Sequence, residues 1–176
     1  TSRSGYIEIS NATINSDRSP SPVSTPSTFT SSGDLMVDQS RVDVDRSLIV
    51  EVEGSGDFTS GDVFAEGSAD YSFGGTLSLT NSTLNADLGR LTLSTGGNTT
   101  LDGSYIESYE GGLDISVGGD LSLVNTSDID SETSFSLTVN GNLSITDSDI
   151  DSFEPSPSDM VVDVGGDLTM DNGNLE

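Results

Sequence analysis

The sequence predicts an all-β fold, a parallel three-faced β-solenoid with about 22 residues per coil and about seven coils. Three observations predict it. Glycines recur at a nearly constant spacing, apolar residues alternate with polar ones in short segments, and no segment has the 3.6-residue apolar period of a helix. We expect residues 1–176 to form a single solenoid domain, with loop insertions near 16–32 and 153–160, where prolines interrupt the pattern.

The glycine repeat is clearest in the middle of the chain. Gly75, Gly97, Gly119 and Gly141 follow one another at intervals of 22 residues. Because glycine accepts positive φ without steric cost, we expect it at a sharp corner in every coil. The series continues at less regular spacing with Gly5, Gly33, Gly56 and Gly166.

Each unit contains three short alternating segments, such as "TLSL", "TLNA" and "RLTLSTG". A strand this short cannot bury an apolar face alone, but stacked coils pair strand on strand about 4.8 Å apart. Equivalent residues should then form inward columns, and the resulting narrow core explains how a chain with 31% hydrophobic residues folds. In the irregular segment 56–74, we expect four aromatic residues to fill this core: Phe58, Phe64, Tyr71 and Phe73.

The expected columns fall on three faces. The first face has two columns. One consists of Leu77, Leu121, Leu143 and Leu168, and the other of Leu79, Leu101, Leu123, Ile145 and Met170. The second face has Ile14, Val42, Leu84, Ile106, Ile129, Ile150 and Leu175. The third has Leu93, Ile115, Leu137 and Val162, beside Val117, Val139 and Val164.

An asparagine or aspartate follows the first strand in five units, at Asn11, Asn81, Asn125, Asp147 and Asn172. These side chains tolerate the left-handed conformation of a tight turn. Two interpretations stay open: stacked residues that bond between coils as a ladder, and plain turn residues facing solvent.

The charge of the chain excludes several partners. Its net charge is −25, its five basic residues are all arginine, and it has no histidine. Such a surface repels nucleic acid and anionic membranes, and no apolar run approaches the roughly 20 residues of a membrane span. The acidic composition is typical of salt-loving organisms, although aspartate also suits turns. Without cysteine, disulfides and thiolate metal sites are excluded.

Stacking should bring Asp128 near Asp149 and Asp130 near Asp151. Carboxylate oxygens suit Ca²⁺, so calcium at these four residues is one hypothesis and a salt-screened acidic face is the other. We predict no obligatory cofactor. Glycosidase chemistry needs two carboxyls in a cleft with aromatic walls, and no such cluster is visible. We therefore predict no enzyme activity and no catalytic residues.

Both ends of the chain lack a recognisable cap. It opens on "GYIEIS" and stops within a coil at "GGDLTMDNGNLE". Because unpaired strand edges are adhesive, we expect either that the solenoid continues in a longer protein or that its ends join another copy.

The recurring "GGTLSL", "GGDLSL" and "NGNLSI", followed by "NSTLN" or "TDSDID", resemble the repeats of filamentous-haemagglutinin-like secreted proteins over most of residues 33–176. The resemblance implies a right-handed parallel β-helix, export to the cell surface, and a rod used for adhesion or surface structure.

These observations predict an extracellular adhesive or structural rod that self-associates end to end into a surface fibre or filament. The alternative is a calcium- or carbohydrate-binding surface module, with host-cell or matrix carbohydrate as its partner. A polysaccharide-cleaving β-helix enzyme is the third and least favoured interpretation.

Overall fold

The computed structural model describes residues 6–16, 25–152 and 160–176. Within these ranges the chain forms 23 short strands and no helix. The strands assemble into three parallel sheets, here called sheets A, B and C.

Each sheet takes every third strand of the chain. Sheet A contains β1 (Tyr6–Ser10), β4 (Asp34–Asp38), β7 (Gly56–Thr59), β10 (Leu77–Thr80), β13 (Thr99–Asp102), β16 (Leu121–Val124), β19 (Leu143–Thr146) and β22 (Leu168–Asp171). Sheet B contains β2 (Thr13–Ser16), β5 (Arg41–Val44), β8 (Asp62–Ala65), β11 (Thr83–Ala86), β14 (Tyr105–Ser108), β17 (Asp128–Ser131), β20 (Asp149–Ser152) and β23 (Asn174–Leu175). Sheet C contains β3 (Ser27–Ser31), β6 (Leu48–Val52), β9 (Ala69–Phe73), β12 (Leu91–Thr95), β15 (Leu113–Val117), β18 (Phe135–Val139) and β21 (Val161–Val164).

The chain therefore visits sheets A, B and C in turn, and each circuit is one coil. Every strand hydrogen-bonds to the equivalent strand of the next coil, in parallel. This arrangement confirms the predicted three-faced parallel β-solenoid.

The inward columns follow the expected register. Leu79 pairs with Phe58 of the preceding coil and with Leu101 of the next. Phe58 and Phe73 also meet edge to face, with ring centroids 6.2 Å apart. Phe64 differs from the expectation, because Val63 and Ala65 point inward on the same strand and the alternation turns Phe64 outward, between Asp43 and Asn85.

The glycine corners between sheets C and A form for a different reason than the sequence indicated. Among the described glycines, positive φ occurs at Gly103 and Gly112, which lie outside these corners. The corner glycines are needed because the backbone of the preceding coil is too close for a side chain. A Cβ on Gly96 would lie 2.2 Å from the carbonyl oxygen of Gly74.

One glycine of the predicted series does not belong to the corner. Gly54, rather than Gly56, donates its N–H to Gly33 O at 3.2 Å and accepts one from Gly75 at 2.8 Å. Gly56 begins β7 inside the core, where a Cβ would lie 2.5 Å from the Phe73 ring. It therefore makes room for an aromatic side chain.

The first predicted loop insertion is shorter than expected. β3 occupies Ser27–Ser31, inside the segment 16–32, because Thr and Phe alternate there once the last proline, Pro26, has passed. Residues 17–24 and 153–159, which carry the rest of the two predicted insertions, lie outside the described residues.

Candidate functional site

The turn between sheets A and B has a left-handed residue in every coil. The five predicted turn residues have φ between 48° and 58°. Asparagine and aspartate adopt this conformation more readily than other non-glycine residues. The five are Asn11, Asn81, Asn125, Asp147 and Asn172, and the remaining coils place Gln39, Ser60 and Gly103 in the same turn with positive φ.

Two of these turn residues bond to the preceding coil through their side chains. Asn125 Nδ2 donates to Asp102 Oδ1 at 2.7 Å, and Asn172 Nδ2 donates to Asp147 Oδ1 at 2.6 Å. The side chains of this turn therefore connect coils near the C-terminal half of the described chain.

A column of buried serines lies directly after this turn, where the sequence indicated only polar turn residues. Each hydroxyl accepts a backbone N–H from the preceding coil and donates to a carbonyl of its own turn. Ser82 Oγ, for example, accepts from Gly61 N at 3.0 Å and donates to Thr80 O at 2.9 Å. The column consists of Ser40, Ser82, Ser104, Ser127 and Ser148, all 5% exposed or less.

A second ladder follows the glycine corner, on the surface. Asp120 N donates to Asn98 Oδ1 at 3.0 Å, Asn142 N donates to Asp120 Oδ1 at 2.8 Å, and Asp167 N donates to Asn142 Oδ1 at 2.9 Å. Each side chain satisfies a backbone donor of the next coil. In the sequence this ladder corresponds to the Asn or Asp that follows the glycine in the "GGN", "GGD" and "NGN" motifs of the repeat.

The four aspartates predicted as metal ligands lie on the outer face of sheet B. Asp128 is opposite Asp149, and Asp130 is opposite Asp151. Glu107 continues the column on the other side of Asp130. The Oδ1 atoms of Asp128, Asp130 and Asp151 are buried and have no hydrogen-bond partner among the described residues. The structure therefore stacks acidic side chains against one another on sheet B.

This stacking changes the acidity of the column. Burial, with the nearby charges of Asp151 and Asp130, raises the pKa of Asp128 to about 6. Burial and the Glu107 and Asp151 carboxylates raise the pKa of Asp130 to about 6. The pKa of Asp151 is also raised, by burial and then by Asp149. Asp128 and Asp130 therefore hold protons at a mildly acidic pH at which an ordinary aspartate is ionised.

The spacing of these carboxylates does not form a metal cage. In the part of the chain that the structure describes, no group of three or more His, Cys, Asp or Glu side chains is arranged to hold a metal ion. Calcium at the four aspartates stays a prediction.

The outer face of sheet A differs in chemistry from that of sheet B. Its first outward column carries a hydroxyl group in five consecutive coils and no charge. The column consists of Ser78, Thr100, Ser122, Ser144 and Thr169, in register. In these five coils sheet A thus carries a neutral hydroxyl column, whereas sheet B carries the acidic column of Glu107, Asp130 and Asp151.

The last described coil leaves part of its core column exposed. Leu168 is 48% exposed and Met170 is 41% exposed, although their partners in β19, Leu143 and Ile145, are fully buried. β21, β22 and β23 are the edge strands of the three sheets at this end. The coil therefore presents apolar side chains beside unpaired strand edges.

Fold and surface together define a repeat-built β-solenoid whose coils carry ladders of small polar side chains. The family model of the hemagglutinin repeat matches residues 37–141, which is more than half of the chain. The chain belongs to the hemagglutinin repeat family, which comprises adhesin-type proteins that are typically secreted to the cell surface. Searches of curated proteins and of solved structures returned no match. None of the described residues forms a helix that could cross a membrane.

Proposed function

We propose that the protein is an extracellular adhesive or structural rod that self-associates end to end into a surface fibre. The family is of adhesin type, and the described coils stack through three parallel sheets of seven or eight strands. A rod of this kind extends by adding coils, and its stability is a sum over neighbouring coils.

The in-register stacking of apolar columns from coil to coil is the observation that supports the proposal most directly. Leu168 and Met170 continue columns that are buried in every interior coil of sheet A. Burying them would stabilise a contact by about 25 cal/mol per Å² of apolar surface. The strand edges beside them would gain backbone hydrogen bonds at the same time.

The first described coil also has apolar side chains that are only partly buried. Ile7, Ile14 and Phe29 are partly buried core residues of β1, β2 and β3, one in each sheet. A contact between the last coil of one copy and the first coil of another joins two different surfaces. Such head-to-tail contacts produce open filaments when successive copies do not close into a ring, as in stacking along one solenoid axis.

A concentration series tests the proposal. Sedimentation velocity and electron microscopy of the purified chain should show rods of constant width whose length increases with protein concentration. Leu168→Lys should abolish this growth, because it places a charge in the contact. Thr169→Lys, on the outward side of the same strand, is the matched control and should leave growth unchanged. Monomers at all concentrations, or equal effects of both variants, would contradict the proposal.

A second candidate function is the binding of neutral carbohydrate along the hydroxyl column of sheet A. The specific observation is the uncharged column itself, in a chain of net charge −25. A glycan array tests it. The double variant Ser122→Ala/Ser144→Ala should lose binding, whereas Ser94→Ala/Ser116→Ala, on the outer face of sheet C, should keep it. The candidate fails if the array shows no neutral glycan bound.

A further inference from the structure

The chain contains two asparagine–glycine pairs, Asn140–Gly141 and Asn172–Gly173. In such a pair the glycine nitrogen can attack the asparagine Cγ, because no glycine Cβ obstructs the approach. A new N–Cγ bond forms, the Cγ–Nδ2 bond breaks, and ammonia leaves. Water then opens the resulting succinimide to aspartate or isoaspartate. The reaction needs no enzyme, so the local structure decides which pair reacts.

The backbone of the first pair is fixed on both sides. Asn140 N donates to Val117 O at 2.9 Å, and Gly141 N donates to Gly119 O at 2.9 Å. Gly141 O accepts a hydrogen bond from Gly166 N at 2.8 Å. The attacking nitrogen is therefore occupied within the stacked glycine corner. It becomes available only when the coil opens locally.

The second pair lies in the turn between β22 and β23. Asn172 is exposed and has φ of 54°. Within the described residues, Gly173 N donates no hydrogen bond. β23 has two residues, paired with β20 alone. The attacking nitrogen of this pair can therefore approach Asn172 Cγ without breaking a hydrogen bond of its own.

We propose that Asn172 is a site of spontaneous deamidation and that the fold protects Asn140. The reaction removes Asn172 Nδ2, which donates a hydrogen bond to Asp147 Oδ1 at 2.6 Å, and places a new carboxylate against Asp147. The isoaspartate product also inserts a methylene group into the backbone of the turn. Deamidated chains should add the next copy less well, a consequence that rests on the proposed end-to-end association.

Peptide mapping by mass spectrometry tests the proposal in a single sample. The folded chain is incubated in mildly alkaline buffer, and deamidation at both sites is followed over time. Asn172 should react at least about tenfold faster than Asn140, because the corner amide reacts only from locally opened states. In concentrated urea the two rates should converge, since glycine follows both residues.

Equal rates at the two sites in the folded chain would overturn the proposal. So would faster reaction at Asn140, or no reaction at Asn172 while the urea sample reacts at both. The rates are measured at a protein concentration at which sedimentation shows monomers, so that end-to-end contacts do not cover Asn172. Association is measured separately by sedimentation of the deamidated and intact chains.

Discussion

Ser104 Oγ accepts a hydrogen bond from the backbone N–H of Ser82, one coil away, at 3.0 Å. The same hydroxyl donates to Asp102 O at 3.0 Å. Ser104 is fully buried, so water cannot replace either bond. One small side chain thus joins two coils at a turn where strand pairing alone leaves a backbone donor without a partner.

Removing this hydroxyl should destabilise the solenoid. Ser104→Ala leaves the N–H of Ser82 buried without an acceptor, and such a group costs about 1–3 kcal/mol. The free energy of unfolding, from urea denaturation, should fall by that amount. Ser122→Ala, on the outer face of sheet A, is the matched control and should change it by less than about 0.5 kcal/mol. Equal effects would show that the serine column does not contribute.

The glycine corner should not tolerate a methyl group. The Cβ of Gly96→Ala would lie 2.2 Å from Gly74 O, so the coils must separate locally. Overpacking of this kind costs about 1–3 kcal/mol or more. Gly97→Ala is the neighbouring control, because its Cβ would meet the Thr76 methyl group at 3.1 Å. The melting temperature of Gly96→Ala should be lower than that of Gly97→Ala. The reverse order would contradict the explanation that the coils approach too closely for a side chain.

The acidic column of sheet B should make the protein more stable in mild acid. The pKa of Asp128 and of Asp130 is about 6 in the folded chain, above the ordinary value of 3.8. Between these values the folded chain binds protons that the unfolded chain releases. Stability is therefore highest below this window and falls as the pH rises through it.

Urea denaturation at a series of pH values measures this dependence. Asp130→Asn should flatten the decrease between about pH 4 and pH 6, because it removes one of the titrating groups. Asp70→Asn is the control, since its register neighbours in sheet C are Ile49 and Thr92 rather than carboxylates. A stability that rises with pH across this window would contradict the account.

The hydroxyl of Tyr71 should be dispensable. Tyr71 is 2% exposed, its hydroxyl has no hydrogen-bond partner within the described residues, and burial raises its pKa strongly. Tyr71→Phe removes this unsatisfied group and should raise the free energy of unfolding by about 1 kcal/mol. Tyr105→Phe, where the ring is 38% exposed, should have little effect. A loss of stability in Tyr71→Phe would indicate a partner for the hydroxyl, such as a buried water.

The inward columns could be predicted from the sequence because a strand has only two faces, and placing one residue inward fixes the direction of all the others. Once Ile106 and Ile129 are placed inward, their outward neighbours follow. The repeat of 22 residues then fixes which residues stack. Phe64 shows the limit of this reasoning, since its aromatic character favoured the core while its position in the alternation placed it outside.

The buried serines could not be predicted from their residue type. A serine after asparagine, as in Asn81–Ser82, has the composition of an exposed turn. Its burial follows from the left-handed residue before it, which turns the next side chain toward the adjacent coil. The role of the corner glycines could not be predicted from the sequence either. The contact that requires them is with the backbone of the preceding coil, about 22 residues away, and the sequence of a single turn does not show it.

The coil register is the central claim, and distances between spin labels test it most directly. The chain has no cysteine, so labels can be introduced in pairs on the outer face of sheet A. Ser78→Cys with Thr169→Cys spans four coil steps, and Asp57→Cys with Thr169→Cys spans five. Narrow distance distributions near 19 Å and 24 Å, roughly one coil spacing apart, are predicted. Broad distributions, or two pairs that do not differ by a coil spacing, would contradict the stacked register.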